Sequence, residues 1–411
     1  MSADRLSTTG PLQGLRVIDA GNMIAGPLAA TLLGDFGADV IKIEQPGLGD
    51  PMRHWTPAKD DRSLWWKVLG RNKRLITLNL STSAGQELLR RLVPTVDVVI
   101  ENYRPGTFAR WGLGYEALSA LNPGLVLVHV SGYGQTGPYR HRGGYGTIAE
   151  AFSGVPSFTG FPDRPPTLPG FPMADSVAAT FAAMATMCAV YERDHSEPRR
   201  GHTPRRGQEI DVSLYEPLFR LVEAQVIGFD QLGLVKQRRG NRMEEDSPRN
   251  TYRTRDGRWI AISASSQKTF ERLAHAMERD DLAIDPRFTD NVRRVANAEV
   301  LDQFIADWFA QRDAEAVIQL FDRENVVAGL VYDIRDIFKD PHYAARENIV
   351  EVPDDDFGHV RMQGVVPRFL RTPGSVRRAG GRIGQDNDAI YRTELGLGDA
   401  DLEQLRAQKV I

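Results

Sequence analysis

Cysteine is nearly absent: Cys188 is the only one in 411 residues. A disulfide framework and a thiolate metal site are therefore excluded, and the composition fits a reducing, cytoplasmic setting. Histidine is sparse as well. Its eight copies never fall in HxxxH or HExxH spacing, so no metal motif is expected. No uninterrupted apolar run approaches the ~20 residues of a membrane span. The polar start MSADRLSTTGPLQG lacks the apolar core of a signal peptide. Neither sign of charge prevails. With 51 Lys and Arg against 54 Asp and Glu, the net charge is −3, too small a field to draw nucleic acid or an anionic membrane. Internal repeats and low-complexity tracts are missing too.

What remains is a chain too long for one ordinary core, so two domains are expected. Hydrophobic residues make up 41% and charged residues 26%, a balance that suits a soluble enzyme. LRVIDA (15–20) reads as a strand, LAATLLGDFG (28–37) as a helix and DVIKIE (39–44) as a second strand. So short a crossover makes the strands parallel. RLITLNL (74–80), VDVVIENY (96–103) and LVLVHVSGYG (125–134) read as further strands. SAGQELLRRLVPT (83–95) reads as a helix capped by Ser83. This alternation predicts a doubly wound α/β domain. The texture then changes. LFRLVEAQVIGFDQLGLV (218–235) reads as one long helix, and TYRTRDGRWIAISAS (251–265) as a hairpin turning at Asp256-Gly257. Helices over 267–277, 297–313 and 313–325 follow. The end of the chain returns to strand and helix. The expected organisation is a large α/β domain over 10–220 and 336–411 with a smaller α+β domain, 221–335, inserted between.

Three stretches could carry chemistry. The first is the loop after the first strand. Gly21 and Gly26 do not make the G-x-G-x-x-G of a dinucleotide cradle, but amides at 22–25 could meet an anion at the helix start. The second is a set of cations at strand ends: Arg71, Lys73 and Arg74 in GRNKR, then Arg104 and Arg110 in ENYRPGTFAR. Singly each reads as a solvated rim charge. As a set they suit a multiply phosphorylated ligand, with Tyr103 and Trp111 offering faces to a base. The third is Asp175, a lone acid in PMADSVAATFAAMATMCAVYE. It could cap a helix, which is worth ~1 kcal/mol. It could also be a nucleophile, because helix-start amides and dipole favour the ionised carboxylate. G-x-S-x-G is absent, so no serine nucleophile competes.

Read in order, these blocks resemble the class III (CaiB/BaiF-type) CoA-transferases, which include formyl-CoA and carnitine CoA-transferases. GPLQGLRVIDAGNMIAGPLAATLLGDFGADVIKIEQPGLGD is similar to the family's N-terminal block. NKRLITLNL, DVVIENYRPGTFARWGLGYE and LVLVHVSGYGQTGPYRHRGGY resemble the next three. PMADSVAA resembles the block with the nucleophilic aspartate, RGQEIDVSLYE the one after it, and LGLGDADLEQLRAQKVI the C-terminal signature. The resemblance implies an interlocked homodimer in which each chain forms a ring threaded by the other. It implies no tightly bound cofactor, with coenzyme A and acyl-CoA as substrates alongside a carboxylic acid. Asp175 would attack the acyl-CoA thioester to give a mixed anhydride, then carry CoA as an aspartyl thioester, then pass it to the acceptor acid. The phosphates of CoA would meet Arg71, Asn72, Lys73 and Arg74, with Arg104 and Arg110. Met23 and Ile24 would border the thioester, and Asn102, Tyr103 and Tyr145 match CoA-contacting positions.

Departures narrow the substrate. Gln45 stands where formyl-CoA transferases have an arginine against adenine, Ile24 where they have a glutamine, and Gly143 where they have a lysine. The loop 240–250 lacks their glycine run. These differences argue against formate and oxalate and for a larger acid, such as a dicarboxylate. The 2-methylacyl-CoA racemases resemble the chain too, but carry His-Asp where it has Tyr145-Gly146, and a racemase needs a second acid/base group. A non-catalytic CoA-binding protein would keep the same scaffold.

Overall fold

The computed structural model describes residues 9–195 and 206–411. Most of the polar N-terminal stretch therefore lies outside the described residues. The chain divides into two compact units. The first comprises Met1–Val155, Leu168–Leu232 and Ala344–Ile411, and the second Pro156–Thr167 and Gly233–Tyr343.

The first unit is built on six parallel strands: β1 (Arg16–Asp19), β2 (Asp39–Glu44), β3 (Lys73–Thr77), β4 (Val98–Glu101), β5 (Val126–Ser131) and β6 (Glu209–Ser213). Their order across the sheet is β3-β2-β1-β4-β5-β6. Alternate side chains go to opposite faces. Val17, Val98, Ile100, Val126 and Val128 join one apolar layer, whereas Ile18, Val99 and Leu127 join the other. Both faces are therefore covered, which is why these strands read as unbroken apolar runs. The order reverses between β1 and β4, and that reversal opens a crevice at the carboxyl ends of the strands.

Helix α1 (Ala25–Asp35) leaves β1 directly. Helix α2 is Ser83–Leu92, and its cap is Thr82, not Ser83: the Thr82 hydroxyl accepts from Gly85 N–H at 3.1 Å. A short helix α3 (Gly146–Phe152) precedes α4 (Met173–His195). α4 is the one described helix that is long and apolar enough, by length and composition, to cross a membrane. Here it packs instead. Ala174, Ala178, Ala179 and Ala182 are buried against Ala25, Ala29 and Ala30 of α1. Small side chains on both helices let the backbones approach closely. A helix next to a parallel strand runs against it, so α1 and α4 both start at the crevice edge.

The expected helix over 218–235 is two helices, α5 (Glu216–Arg220) and α6 (Ala224–Leu232). Glu223 between them has φ +44°, a left-handed conformation that ends the first helix. The C-terminal segment seals the sheet edge at β3. Leu75 N–H donates to Asp386 at 2.6 Å, Thr77 N–H to Asn387 at 2.9 Å, and Tyr391 O–H to the Thr77 carbonyl at 2.7 Å.

The second unit has a three-stranded antiparallel sheet of Arg249–Arg253, Trp259–Ser263 and Ala328–Leu330. Helices Gln267–Ala276, Ala298–Phe309 and Ala314–Arg323 close over Phe270, Phe288, Phe309 and Phe321. The hairpin turns at Gly257, φ +81°. Residues 156–167 and 336–343, expected in the large domain, belong here. Gly160 bridges Gly240, and the Arg238 guanidinium donates to the Phe161 carbonyl at 3.3 Å. Residues 221–232, expected in the small domain, belong to the first unit.

Candidate active site

The loop after β1 is held in one shape by groups beneath it. Asp19, at the end of β1, is fully buried and accepts from Gly21 N–H at 3.1 Å and Lys73 Nζ at 2.8 Å. Lys42, at 0% exposure, donates to the Gly21 carbonyl and pairs with Asp50 at 3.0 Å. Asp50 in turn accepts from the amides of Met23 at 3.2 Å and Met52 at 3.0 Å. Across the strand-order reversal, Asn22 and Asn102 bond reciprocally. Asn22 N–H donates to Asn102 Oδ1, and Asn102 Nδ2 to the Asn22 carbonyl, each at 2.7 Å. Under these ties Met23 adopts φ +63°, a conformation rare for a side chain of its kind. Burial alone would lower the Lys42 ammonium, but Asp19, Asp50 and Glu44 outweigh it and hold it above its ordinary range.

The expected anion nest at 22–25 is therefore not free: the Asn22 and Met23 amides are already bonded. Ile24 is buried against Met52, Trp66 and Leu69, and shapes the crevice from behind. Tyr103 is partly buried beside Phe108 and Trp111, its ring T-shaped to the indole at 5.1 Å. Burial raises its phenol, and a bond with Asn22 opposes that rise.

The cation set separates into two kinds. Arg71 grips Asp35 through Nε at 3.1 Å and Nη2 at 2.5 Å and donates to the Gln363 carbonyl at 2.9 Å. Asn72, with φ +60°, also donates to Asp35 at 2.8 Å. Lys73 sits between Asp19 and the Pro27 carbonyl at 2.7 Å. Arg74 forks onto Asp39 and Glu394. All four side chains are buried and fully engaged. Expected to meet phosphates, these four side chains are committed to ties within the fold. The free cations lie after β4. Arg104 is exposed, and its guanidinium has no hydrogen-bond or ion-pair partner among the described residues. Arg110 is exposed and touches only the Thr107 hydroxyl, at 2.9 Å.

Asp175 is not the helix cap. It lies in the first turn of α4, two residues after Met173. The capping acceptor is Glu150 of α3, whose Oε1 takes the Met173 N–H at 3.1 Å and the Ala174 N–H at 3.3 Å. Nor do the helix-start amides prevail at Asp175. Desolvation first, then the Glu150 carboxylate, push it from 3.8 up to about 6, against a bond from its own amide. At pH 7 it is still about nine-tenths ionised. A half-buried, poorly solvated carboxylate more basic than usual is a good nucleophile. Gly146, the first residue of α3, lies directly against it: a Cβ there would overlap Asp175 Oδ2. Tyr145 caps α3 and is 72% exposed at the same edge. The fold thus brings Met23, Ile24, Asn102, Tyr103, Arg104, Tyr145 and Asp175 to the carboxyl edge of one sheet. Glu150 is not among the residues expected from the sequence, and Gly146 is noted there only as lacking an acid. The one available signal was an acid in the otherwise apolar GTIAEAF (146–152). Two cavities, about 570 and 450 Å3, lie in the second unit and include none of the expected site residues. No cluster of His, Cys, Asp and Glu among the described residues could hold a metal.

Comparison with known proteins points to one family. The profile of CoA-transferase family III matches residues 12–387. A succinyl-CoA–D-citramalate CoA-transferase of Chloroflexus aurantiacus is 45% identical over 402 residues, covering 98% of each chain. The α subunit of a succinyl-CoA–L-malate CoA-transferase from the same organism is 38% identical over 419 residues, covering 100% of this chain and 96% of its own. Among solved structures, a CAIB/BAIF family protein from Brucella suis superposes with a TM-score of 0.82 at 31% identity. That match covers 94% of this chain and 100% of the other.

The raised Asp175 carboxyl has a measurable cost. Its folded value, about 6, exceeds the unfolded 3.8, so the folded state holds its proton more tightly. Stability falls as pH rises from 3.8 to 6, and the penalty is complete above pH 6. Asp175→Asn should therefore stabilise the fold by about 3 kcal/mol at pH 7 and by almost nothing at about pH 3, below the unfolded value. Chemical denaturation at both pH values measures the difference; equal midpoint changes would contradict it.

Proposed function

The chain belongs to CoA-transferase family III, and we propose that it moves CoA from an acyl-CoA to a free acid through covalent chemistry on Asp175. The observation that carries this reading is the half-buried Asp175 carboxylate at the start of α4, relieved of capping duty by Glu150. An Asp175 oxygen attacks the thioester carbonyl carbon. The C–S bond breaks, leaving a mixed anhydride and CoA thiolate. The thiolate attacks the aspartyl carbonyl, forming aspartyl-CoA and releasing the donor carboxylate. The acceptor carboxylate attacks that thioester, again giving an anhydride and thiolate. Thiolate attack on the acceptor carbonyl then yields the new acyl-CoA and frees Asp175. Each step consumes one anion and releases another, a carboxylate exchanged for a thiolate or the reverse, so no proton need be moved.

Arg104 and Arg110 are the groups we assign to the CoA phosphates, because they alone of the basic set have uncommitted guanidinium groups. The names of the relatives support succinyl-CoA as donor and a hydroxy-dicarboxylate as acceptor. α-Carbon proton transfer is disfavoured. Position 146 carries no acid/base group, and a side chain there would displace Asp175. The partner we assign is a second copy of the chain. α6 has no buried residue, and it exposes Val226, Ile227, Phe229 and Leu232. An apolar helix left bare in this way marks an interface. A cytoplasmic location follows from the same reading.

Three experiments test the proposal. Enzyme mixed with succinyl-CoA and quenched with hydroxylamine should carry the label at Asp175, and Asp175→Ala should lose at least ~1,000-fold in kcat. Normal turnover by that variant would remove the mechanism. Arg104→Ala with Arg110→Ala should raise KM for several acyl-CoAs alike, roughly tenfold, at unchanged kcat. A KM that stays put would return both side chains to the role of solvated rim. Light scattering should give twice the 45.8 kDa chain mass; a monomer at catalytic concentrations would refute the assigned partner.

A further inference from the structure

We infer that Glu150 is a positioning residue that keeps Asp175 free and nucleophilic, by taking the helix-start amides in its place and by facing it with like charge. The inference rests on Asp175 being the nucleophile and says how α3 tunes it. α3 meets the first turn of α4 at two points one helical turn apart. Gly146 abuts the Asp175 carboxylate, and Glu150, four residues on and so on the same face, bonds the Met173 and Ala174 amides at 3.1 and 3.3 Å. Glu150 is 3% exposed and has no cation partner among the described residues. A buried, unneutralised carboxylate is costly, and amide donors are the compensation visible here. Were Glu150 absent, Met173 would keep only the Phe171 carbonyl at 2.7 Å and the Ala174 amide would be an orphan donor next in the chain to Asp175; a carboxylate that takes up such an amide is a weaker base.

Other charges on elements packed against α4 are committed elsewhere. Asp35 on α1 binds Arg71, and His129 on β5 lies between Glu101 and Glu209. Asp211 on β6 accepts from Gln135 N–H, and Glu216 on α5 from Ser213. Arg220, at the far end of α5, is exposed. Of these, only Glu150 bears on Asp175.

The test is Glu150→Gln, whose amide oxygen can still accept from both amides while the charge is gone. The acid limb of kcat/KM, which reports Asp175 in the free enzyme, should drop by about one pH unit. At pH 8, kcat should fall roughly 3- to 10-fold, with KM for succinyl-CoA unchanged. Glu150→Asp, which keeps the charge, should leave the limb in place. An unmoved limb in Glu150→Gln, with Asp175 still trapped by hydroxylamine, overturns this inference alone. No label on Asp175 in the wild-type enzyme overturns the underlying mechanism instead. If the glutamine variant is insoluble, Glu150→Ser also removes the charge, and its limb must fall likewise or the inference fails.

Discussion

Two buried ammonium groups determine the floor of the crevice. Lys42 and Lys73 have no exposed surface, and between them they hold Asp19, Asp50, the Gly21 carbonyl and the Pro27 carbonyl. Burying such charges contributes little net stability and is strongly unfavourable if one partner is lost. What the network provides is a single geometry. Two carboxylates anchored on lysines reach up to the loop amides and fix Met23 in its left-handed turn. From that turn α1 starts, and against α1 packs the alanine face of α4 that carries Asp175. The position of Asp175 therefore traces back, contact by contact, to ion pairs under the sheet edge.

Much of this architecture was legible in the residues. Unbroken apolar strands separated by helical periodicity imply a parallel sheet covered on both faces, and the sheet is of that kind. Asp175 stood out because it was the one acid at the mouth of an apolar helix. The cations were harder. GRNKR and ENYRPGTFAR look alike in one dimension, yet the first is swallowed by Asp35, Asp19, Asp39 and Glu394, whereas the second stays at the surface. Their partners lie up to 320 residues away, a distance that local pattern does not register. The same holds for the cap of α4: its acceptor comes from another helix, so sequence offered only Asp175 for the job.

That helix start shows a division of labour between two acids. Glu150 satisfies the backbone and is thereby fixed; Asp175 is left poorly solvated with one bond from its own amide. Had one residue done both, the amides stabilising the ionised form would have made it a weaker nucleophile. A single position without a Cβ, Gly146, then admits the carboxylate against the backbone of α3. Stability is given up at this one point, where a carboxylate is held in poorly solvating surroundings.

The sealing of β3 by the C-terminal segment has a temporal meaning. The strand's amide at Leu75 finds its acceptor in Asp386, 311 positions further along. During synthesis the whole second unit must leave the ribosome before that acceptor exists. For most of translation the nascent sheet thus carries an open edge, the feature most prone to recruit a stray strand, and it closes only when nearly all of the described chain has emerged.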